Sequence, residues 1–441
     1  MTELEILALL MLGAFFLLLM IGIPVGLTLA ATGFVFGYLG FGATLFNLLP
    51  NRIFGAVTNY TLIAIPLFVF MGVMLEKSRL AEDLMDVVGL AAGRLRGGLG
   101  LGIILVGVLM GASTGIVGAT VVTLGLLTLP TLIRRGYAKS LASGTICASG
   151  TLGQIIPPSL VLILLADITA QSVGTLFAAA LLPGLMLAAI YCAYMIGIGV
   201  LWPAMAPAAS REELDAFTRG QLWRRIFTVV VPPLALVFAV LGSIIGGVAA
   251  PTEAASIGAL GSLLMAAAAG RVNGKVLRDT IQVSTRITAT VLFILICAQV
   301  FALAFRGLRG EQLVHDLFAF LPGGIAADIW FMMLLIFVLG FFIEWIEISY
   351  IAVPLFMPVF DAAGVDKVWL CAMICLNLQT SFLTPPFGWA LFFLKGVAPP
   401  EVRTADIYLG IIPFVAMQLL TLVILFLQPP IATWLPAAIG W

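Results

Sequence analysis

Long apolar runs separated by short polar breaks fill nearly the whole chain. Stretches at about 4–21, 23–42, 61–76, 175–201, 226–246, 253–270, 285–305 and 407–428 each approach the length a helix needs to cross a bilayer. Such a pattern predicts an all-α polytopic membrane protein, because a helix satisfies its own backbone where no water is present. Two stretches are patterned differently. Residues 78–97 set Leu80, Leu84, Val87, Val88 and Leu90 against Glu82, Asp83 and Asp86, and 306–320 is similarly mixed. Both predict amphipathic helices. Residues 99–134 and 329–360 are too long for one span and carry a polar centre, so each is read as a helical hairpin that enters and leaves on one side. Residues 139–166 and 367–396 are apolar but interrupted by a proline pair, which breaks a helix by removing backbone donors and clashing with the preceding turn.

The two interrupted regions match each other. Pro130, Gly136, Cys147, Pro157 and Pro158 recur as Pro358, Gly364, Cys375, Pro385 and Pro386 at a constant offset of 228. This implies an internal duplication: a first repeat over 1–203, a linker over 204–225 and a second repeat over 226–441. The linker holds Pro207 and the charge run from Arg211, Glu212 and Glu213 to Arg224 and Arg225; Pro203 lies at its start. Repeats with broken helices point to a secondary transporter whose binding site lies near the bilayer midplane.

Charge orients the halves. The base of the first hairpin carries Arg94, Arg96, Arg134, Arg135 and Lys139, which the positive-inside rule places in the cytoplasm. The base of the second carries Asp328, Asp361 and Asp366 with only Lys367, and fits the outer side. Tracing the spans between these anchors gives two repeats of opposite topology, with both termini outside. The acidic start (Glu3, Glu5) lacks the basic region of a signal peptide, so the first apolar run is read as a retained span.

Composition agrees: 62% of the 441 residues are hydrophobic and 10% charged, against roughly 25% charged in soluble proteins. Basic and acidic residues balance at 21 each, so nothing points to nucleic acid. Cys147, Cys192, Cys297, Cys371 and Cys375 all lie in apolar segments and read as small buried residues. No phosphate-binding loop, zinc-ligand spacing or nucleophile–histidine arrangement is present, so the expectation is a transporter subunit and not an enzyme, with no cofactor. Glu253 suits the cap of a span, and His315 an interfacial position.

The candidate chemistry lies at the breaks and the hairpin tips. The first break runs from Ser149 through Thr151, Gly153, Gln154, Pro157 and Pro158 to Ser159. The second runs from Asn377 through Gln379, Thr380, Ser381, Thr384, Pro385 and Pro386 to Gly388. Half-helix N-termini attract anions, while freed carbonyls and hydroxyls suit a hard cation such as Na+. A proline pair that merely kinks a packed helix is the simpler alternative. The first tip offers Gly111, Ser113, Thr114 and Gly118. The second offers Glu344 and Glu347, two carboxylates in a membrane segment, where charge is functional by default. These could hold a cation or proton, or contact substrate through an ion; the simpler alternative is that they sit in an outer water-filled mouth or pair with an arginine such as Arg306.

These segments closely resemble the large membrane subunit of tripartite ATP-independent periplasmic (TRAP) transporters. The resemblance covers nearly the whole chain. It rests on 64–68 (AIPLF), the Gly111–Gly118 tip, 151–159 (TLGQIIPPS), 251–255 (PTEAA) and Asn377 through Gly388. It implies a bacterial inner-membrane elevator transporter with scaffold and transport domains, in which 78–97 and 306–320 are the connecting arms. It also implies a small four-helix membrane subunit, a periplasmic binding protein, and Na+-coupled uptake of a small carboxylate. The Na+ sites so implied are Ser113 and Thr114 with Thr151, Gly153 and Gln154, and Glu344 and Glu347 with Ser381 and Thr384. Ser113, Ser159, Asn377, Gln379 and Thr380 are the substrate candidates. Ser113-Thr114 and the second acidic residue, Glu347, depart from the commoner family pattern. The second-break sequence with Glu347 looks like the branch for 2-oxo acids, lactate-like acids, and mannitol or chloroaromatic acids. A stand-alone Na+/carboxylate symporter and a non-transporting scaffold are the alternatives.

Overall fold

A computed structural model gives the architecture. Positions 1, 94, 115, 116 and 209–218, and the side chains at 81, 90, 112–114 and 219, lie outside the described residues. All regular structure among the described residues is helical, and eight helices there are long and apolar enough to cross a membrane. Large apolar side chains such as Phe238, Phe54 and Leu201 point outward.

The helices of the two halves keep the 228-residue register. Shifting Val117–Arg134 by 228 gives the bounds of Trp345–Ala362, and Lys139–Thr151 begins where Lys367–Leu383 does. Gly98–Thr114, Leu160–Thr169 and Val173–Leu201 fall, within three residues, on Gly324–Leu339, Trp389–Val397 and Thr404–Leu427. Leu80–Ala92 falls likewise on Gly310–Ala319. The clearest departure is the helix Gly274–Gly307, 34 residues long. Its counterpart is divided into Thr44–Val57, a 3-10 turn at Tyr60–Ile63, and Ala64–Lys77. The division has a local cause: Asn59 turns its side-chain oxygen to the Thr61 amide at 3.0 Å and caps a new start.

Several boundaries differ from the sequence reading. Thr44–Val57 is not expected from the pattern, because its mixed sequence contains Pro50. The long helix starts at Gly274 and not near 285, because Asn273 caps it and the polar residues that follow are adequate helix formers. The linker is partly helical: Arg219–Arg225 leads through a π turn into Val231–Ile245. Cys192 is half-buried, whereas the other four cysteines are buried. Glu253 accepts the Ala250 amide at 2.8 Å, which is the capping role expected of it, and His315 is exposed.

Small residues let helices from different halves meet closely, as packing within lipid favours. A Cβ on Gly33 would sit 2.9 Å from the Phe301 nitrogen, and one on Gly144 would sit 2.0 Å from the Gly410 oxygen. The broken helices are held in the same way, with Lys139–Thr151 lying against Thr404–Leu427.

The two amphipathic helices start alike. Arg79 and Arg309, each at positive φ, stand just before them. Asp83 in the first and Glu311 in the second, 228 positions apart, are each bound by an arginine: Arg271 at 2.7 Å and Arg306 at 2.8 Å. Arg306 therefore pairs with Glu311, and not with Glu344 or Glu347.

Candidate functional site

Both proline pairs end a helix. After Lys139–Thr151 the chain makes a 3-10 turn at Leu152–Gln154, passes the cis Pro157-Pro158 bond and restarts at Leu160. After Lys367–Leu383 it passes the cis Pro385-Pro386 bond and restarts at Trp389. The breaks differ in setting. Pro157 and Pro158 are buried, whereas Pro385 and Pro386 are exposed.

The first break is closed by side chains. The Gln154 carbonyl accepts from Ser159 Oγ and, at 3.1 Å, from Cys375 Sγ of the other broken helix. The Gln154 side chain is buried, and its amide oxygen and nitrogen have no partner among the described residues. Thr151 Oγ1 donates to the Ala148 carbonyl at 2.9 Å and accepts from Gln379 Nε2 at 3.3 Å. Asn377 donates to the Met333 carbonyl at 2.7 Å. The hydroxyls of Thr380, Ser381 and Thr384 each donate back along their helix. Each hydroxyl that donates in this way keeps lone pairs that can accept, which suits a hard cation.

Each hairpin tip sits on its own break. A Cβ on Gly111 would fall 2.5 Å from the Gly153 Cα, so the two backbones touch. In the second half a Cβ on Gly340 would fall 2.1 Å from Ser381 Oγ. Gly153 and Ser381 are again 228 positions apart. Glu344 stands in the cap position of Trp345–Ala362 and Glu347 lies in its first turn. Glu347 is buried, with Oε2 unpartnered among the described residues. The structure thus groups Thr151, Gly153, Gln154 and Gln379 in one cluster, and sets Glu344 beside Phe382 of the second break in one cavity. The side chains of Ser113 and Thr114 lie outside the described residues.

A cavity of about 250 Å³ joins the parts. Gly118 and Glu344 from the two tips, and Leu160 and Phe382 beside the two breaks, line it together with Arg286 and Thr290 of the long helix. Of the residues expected from sequence to contact substrate or ion, Glu344 lines this cavity; Ser159, Asn377, Gln379 and Thr380 are buried and do not line it. Hydropathy alone misses Arg286 and Thr290, because it starts the span at 285 and makes Arg286 a span-end residue. The available signal is an arginine directly before an uncharged run, 287–305. A second, polar cavity of about 440 Å³ lies further along the same helix, lined by Arg52, Asn59, Asp167, Arg306 and Tyr350 among others. There the Asn59 amide donates to Asp167.

The family model for the DctM component of the tripartite ATP-independent periplasmic transporters matches residues 12–431. The chain belongs to this family. It is 30% identical to the C4-dicarboxylate TRAP transporter large permease protein DctM of Pseudomonas aeruginosa, over 89% of this chain and 90% of that one. It is 29% identical to the ectoine large permease protein TeaC of Halomonas elongata, over 95% and 96%. Identity to the sialic acid large permease protein SiaM of Vibrio cholerae is 27%, over 95% and 96%. Among solved structures, the YdaH transporter of Alcanivorax borkumensis shares the fold with a TM-score of 0.64 at 17% identity, covering 91% of this chain and 90% of that one. The chain is thus a TRAP large permease subunit, and the relatives it matches are transporter permeases. Membership implies a small membrane subunit and a periplasmic binding protein as partners. These relatives carry chemically different cargoes, so the family alone does not name this chain's substrate.

Proposed function

We infer that this TRAP permease imports a small carboxylate by Na+ symport, receiving it from a periplasmic binding protein in the inner membrane of a bacterium. The observation that carries this reading is the convergence of both hairpin tips and both breaks on one cavity. The breaks and the second tip also hold buried oxygens of Gln154, Gln379 and Glu347 with no partner among the described residues. Uncharged oxygens at the first break and a carboxylate at the second give two settings for a hard cation. A cation bound near Glu344 and Glu347 offsets their charge and removes the repulsion an entering carboxylate would otherwise meet.

The element-by-element register at 228 residues and the charge bias of the hairpin bases support an inverted repeat with both termini periplasmic. In such an arrangement the hairpins and broken helices move as one block, an elevator, against the remaining spans. The long helix is the rail. It carries two cavities, one around Arg286 and one reaching Arg306, and 20 residues at 1.5 Å each separate these arginines by about 30 Å. The helices Leu80–Ala92 and Gly310–Ala319 would link block and scaffold.

Uptake into proteoliposomes holding this chain and its small subunit tests the reading. It requires uptake of labelled lactate, pyruvate or succinate only when binding protein and an inward Na+ gradient are both present. Uptake without binding protein would move the chain to the stand-alone symporters. Uptake indifferent to Na+ would remove the coupling ion.

A further inference from the structure

Among the described residues, Arg286 is the one cation lining the cavity between the hairpin tips. It is the thirteenth residue of Gly274–Gly307 and stands directly before the uncharged run 287–305. Its guanidinium has no ion-pair or hydrogen-bond partner among the described residues, although Glu344 lines the same cavity. Three other arginines of the fold are engaged by carboxylates. Arg271 binds Asp83, Arg306 binds Glu311 and Arg403 binds Asp406. A free guanidinium facing a cavity in a membrane helix is costly unless it receives an anion.

We propose that Arg286 binds the carboxylate of the transported acid, so that the substrate is held between the moving block and the fixed long helix. This rests on the carboxylate-import reading and adds the residue that selects the charge. Guanidinium matches carboxylate geometry with two parallel donors, which an ammonium cannot reproduce. Thr290, one turn on, donates its hydroxyl to the Arg286 carbonyl at 3.0 Å and lines the same wall. Apart from Glu344, the other walls include Val117, Leu160, Val291, Ile346, Phe382 and Phe393. They are apolar and suit the short carbon chain of the acid. The volume, about 250 Å³, falls below the roughly 300–1,000 Å³ of sites for drug-sized ligands and fits an acid of few carbons. Because the hairpins and the long helix are different bodies in the elevator, this contact exists only when the tips stand at the level of Arg286. Arg286 is therefore a state-specific anchor, distinct from groups that travel with the block.

The test compares wild type, Arg286→Gln and Arg286→Lys in proteoliposomes holding the complete complex, with labelled lactate, pyruvate and succinate. Unlabelled lactate and lactamide serve as competitors against whichever acid is transported. Arg286→Gln is expected to raise KM at least thirtyfold. It should also collapse the preference for the acid over the amide, leaving half-saturation by Na+ unchanged. Arg286→Lys keeps charge without the paired donors and should raise KM several-fold while retaining the preference. A merely structural arginine would lower the maximal rate and leave the preference intact. Wild-type KM and preference in Arg286→Gln would overturn the inference and leave the transport reading standing. Wild-type complex that takes up none of the acids would overturn the carboxylate reading, and this inference with it.

Discussion

Gln379 Nε2 lies 3.3 Å from Thr151 Oγ1, and the two residues are separated by 228 positions, the offset of the internal repeat. Each therefore meets its own repeat equivalent across the centre of the molecule. Both are fully buried. The contact ties the end of one broken helix to the end of the other, beside the cluster of oxygens around Gln154. Two halves that arose from one unit would place equivalent positions together only on an axis relating them.

Thr151→Val strands the buried Gln379 amide and should destabilise the protein by ~1–3 kcal/mol, whereas Gln379→Met should cost less, since the Thr151 hydroxyl still donates to the Ala148 carbonyl. Made together they should cost less than the sum, because the pair is removed as a unit. Thermal unfolding of the detergent-solubilised complex in a double-mutant cycle checks this. Additive effects would mean that the two side chains do not interact.

Gly111 has no room for a side chain. Gly111→Ala would press a Cβ to 2.5 Å from the Gly153 Cα, backbone against backbone, where nothing can rotate aside. Overpacking of this kind costs typically ~1–3 kcal/mol. Gly242→Ala, which meets nothing within 4 Å, is the control. Size-exclusion profiles of fluorescently tagged protein should show loss of monodisperse material for the first change and none for the second.

Glu347→Gln keeps the size of the side chain and removes its charge. If Glu347 helps hold the coupling cation, the Na+ concentration for half-maximal uptake should rise tenfold or more, equivalent to ~1.4 kcal/mol of lost binding. A Na+ titration of initial rates measures it. An unchanged titration curve would remove Glu347 from the cation site.

Arg271 fastens the first amphipathic helix. Its guanidinium donates to the Ser78 carbonyl at 3.1 Å, the Arg79 carbonyl at 2.8 Å and Asp83 at 2.9 Å. The ion pair is part-exposed and by itself worth ~1 kcal/mol or less. The two carbonyls, at the end of Ala64–Lys77 and the turn after it, lose their cap as well. Arg271→Ala should speed amide hydrogen exchange over 78–86 while leaving exchange in Lys139–Thr151 unchanged. Equal exchange in both variants would show that the helix is held by its apolar face alone.

The sequence by itself determined what local chemistry controls. Apolar runs of bilayer length fixed the class, since only helices close their own hydrogen bonds in lipid. The proline pairs broke their helices because the effect of proline acts within one turn. The constant offset made the duplication countable without any coordinates. Tertiary structure decided which faces meet. Lipid is as apolar as a protein core, so an apolar helix carries little periodic signal for its inward face. Nothing in the chain told Arg306 to choose Glu311 over Glu344, or buried Pro157 and Pro158 while leaving Pro385 and Pro386 exposed. By hydropathy Arg286 is the polar edge of a span, yet its helix begins twelve residues earlier, at Gly274. Whether a charge at that position faces lipid, water or a binding cavity depends on helix packing across hundreds of residues, and only the folded chain shows Arg286 beside both hairpin tips.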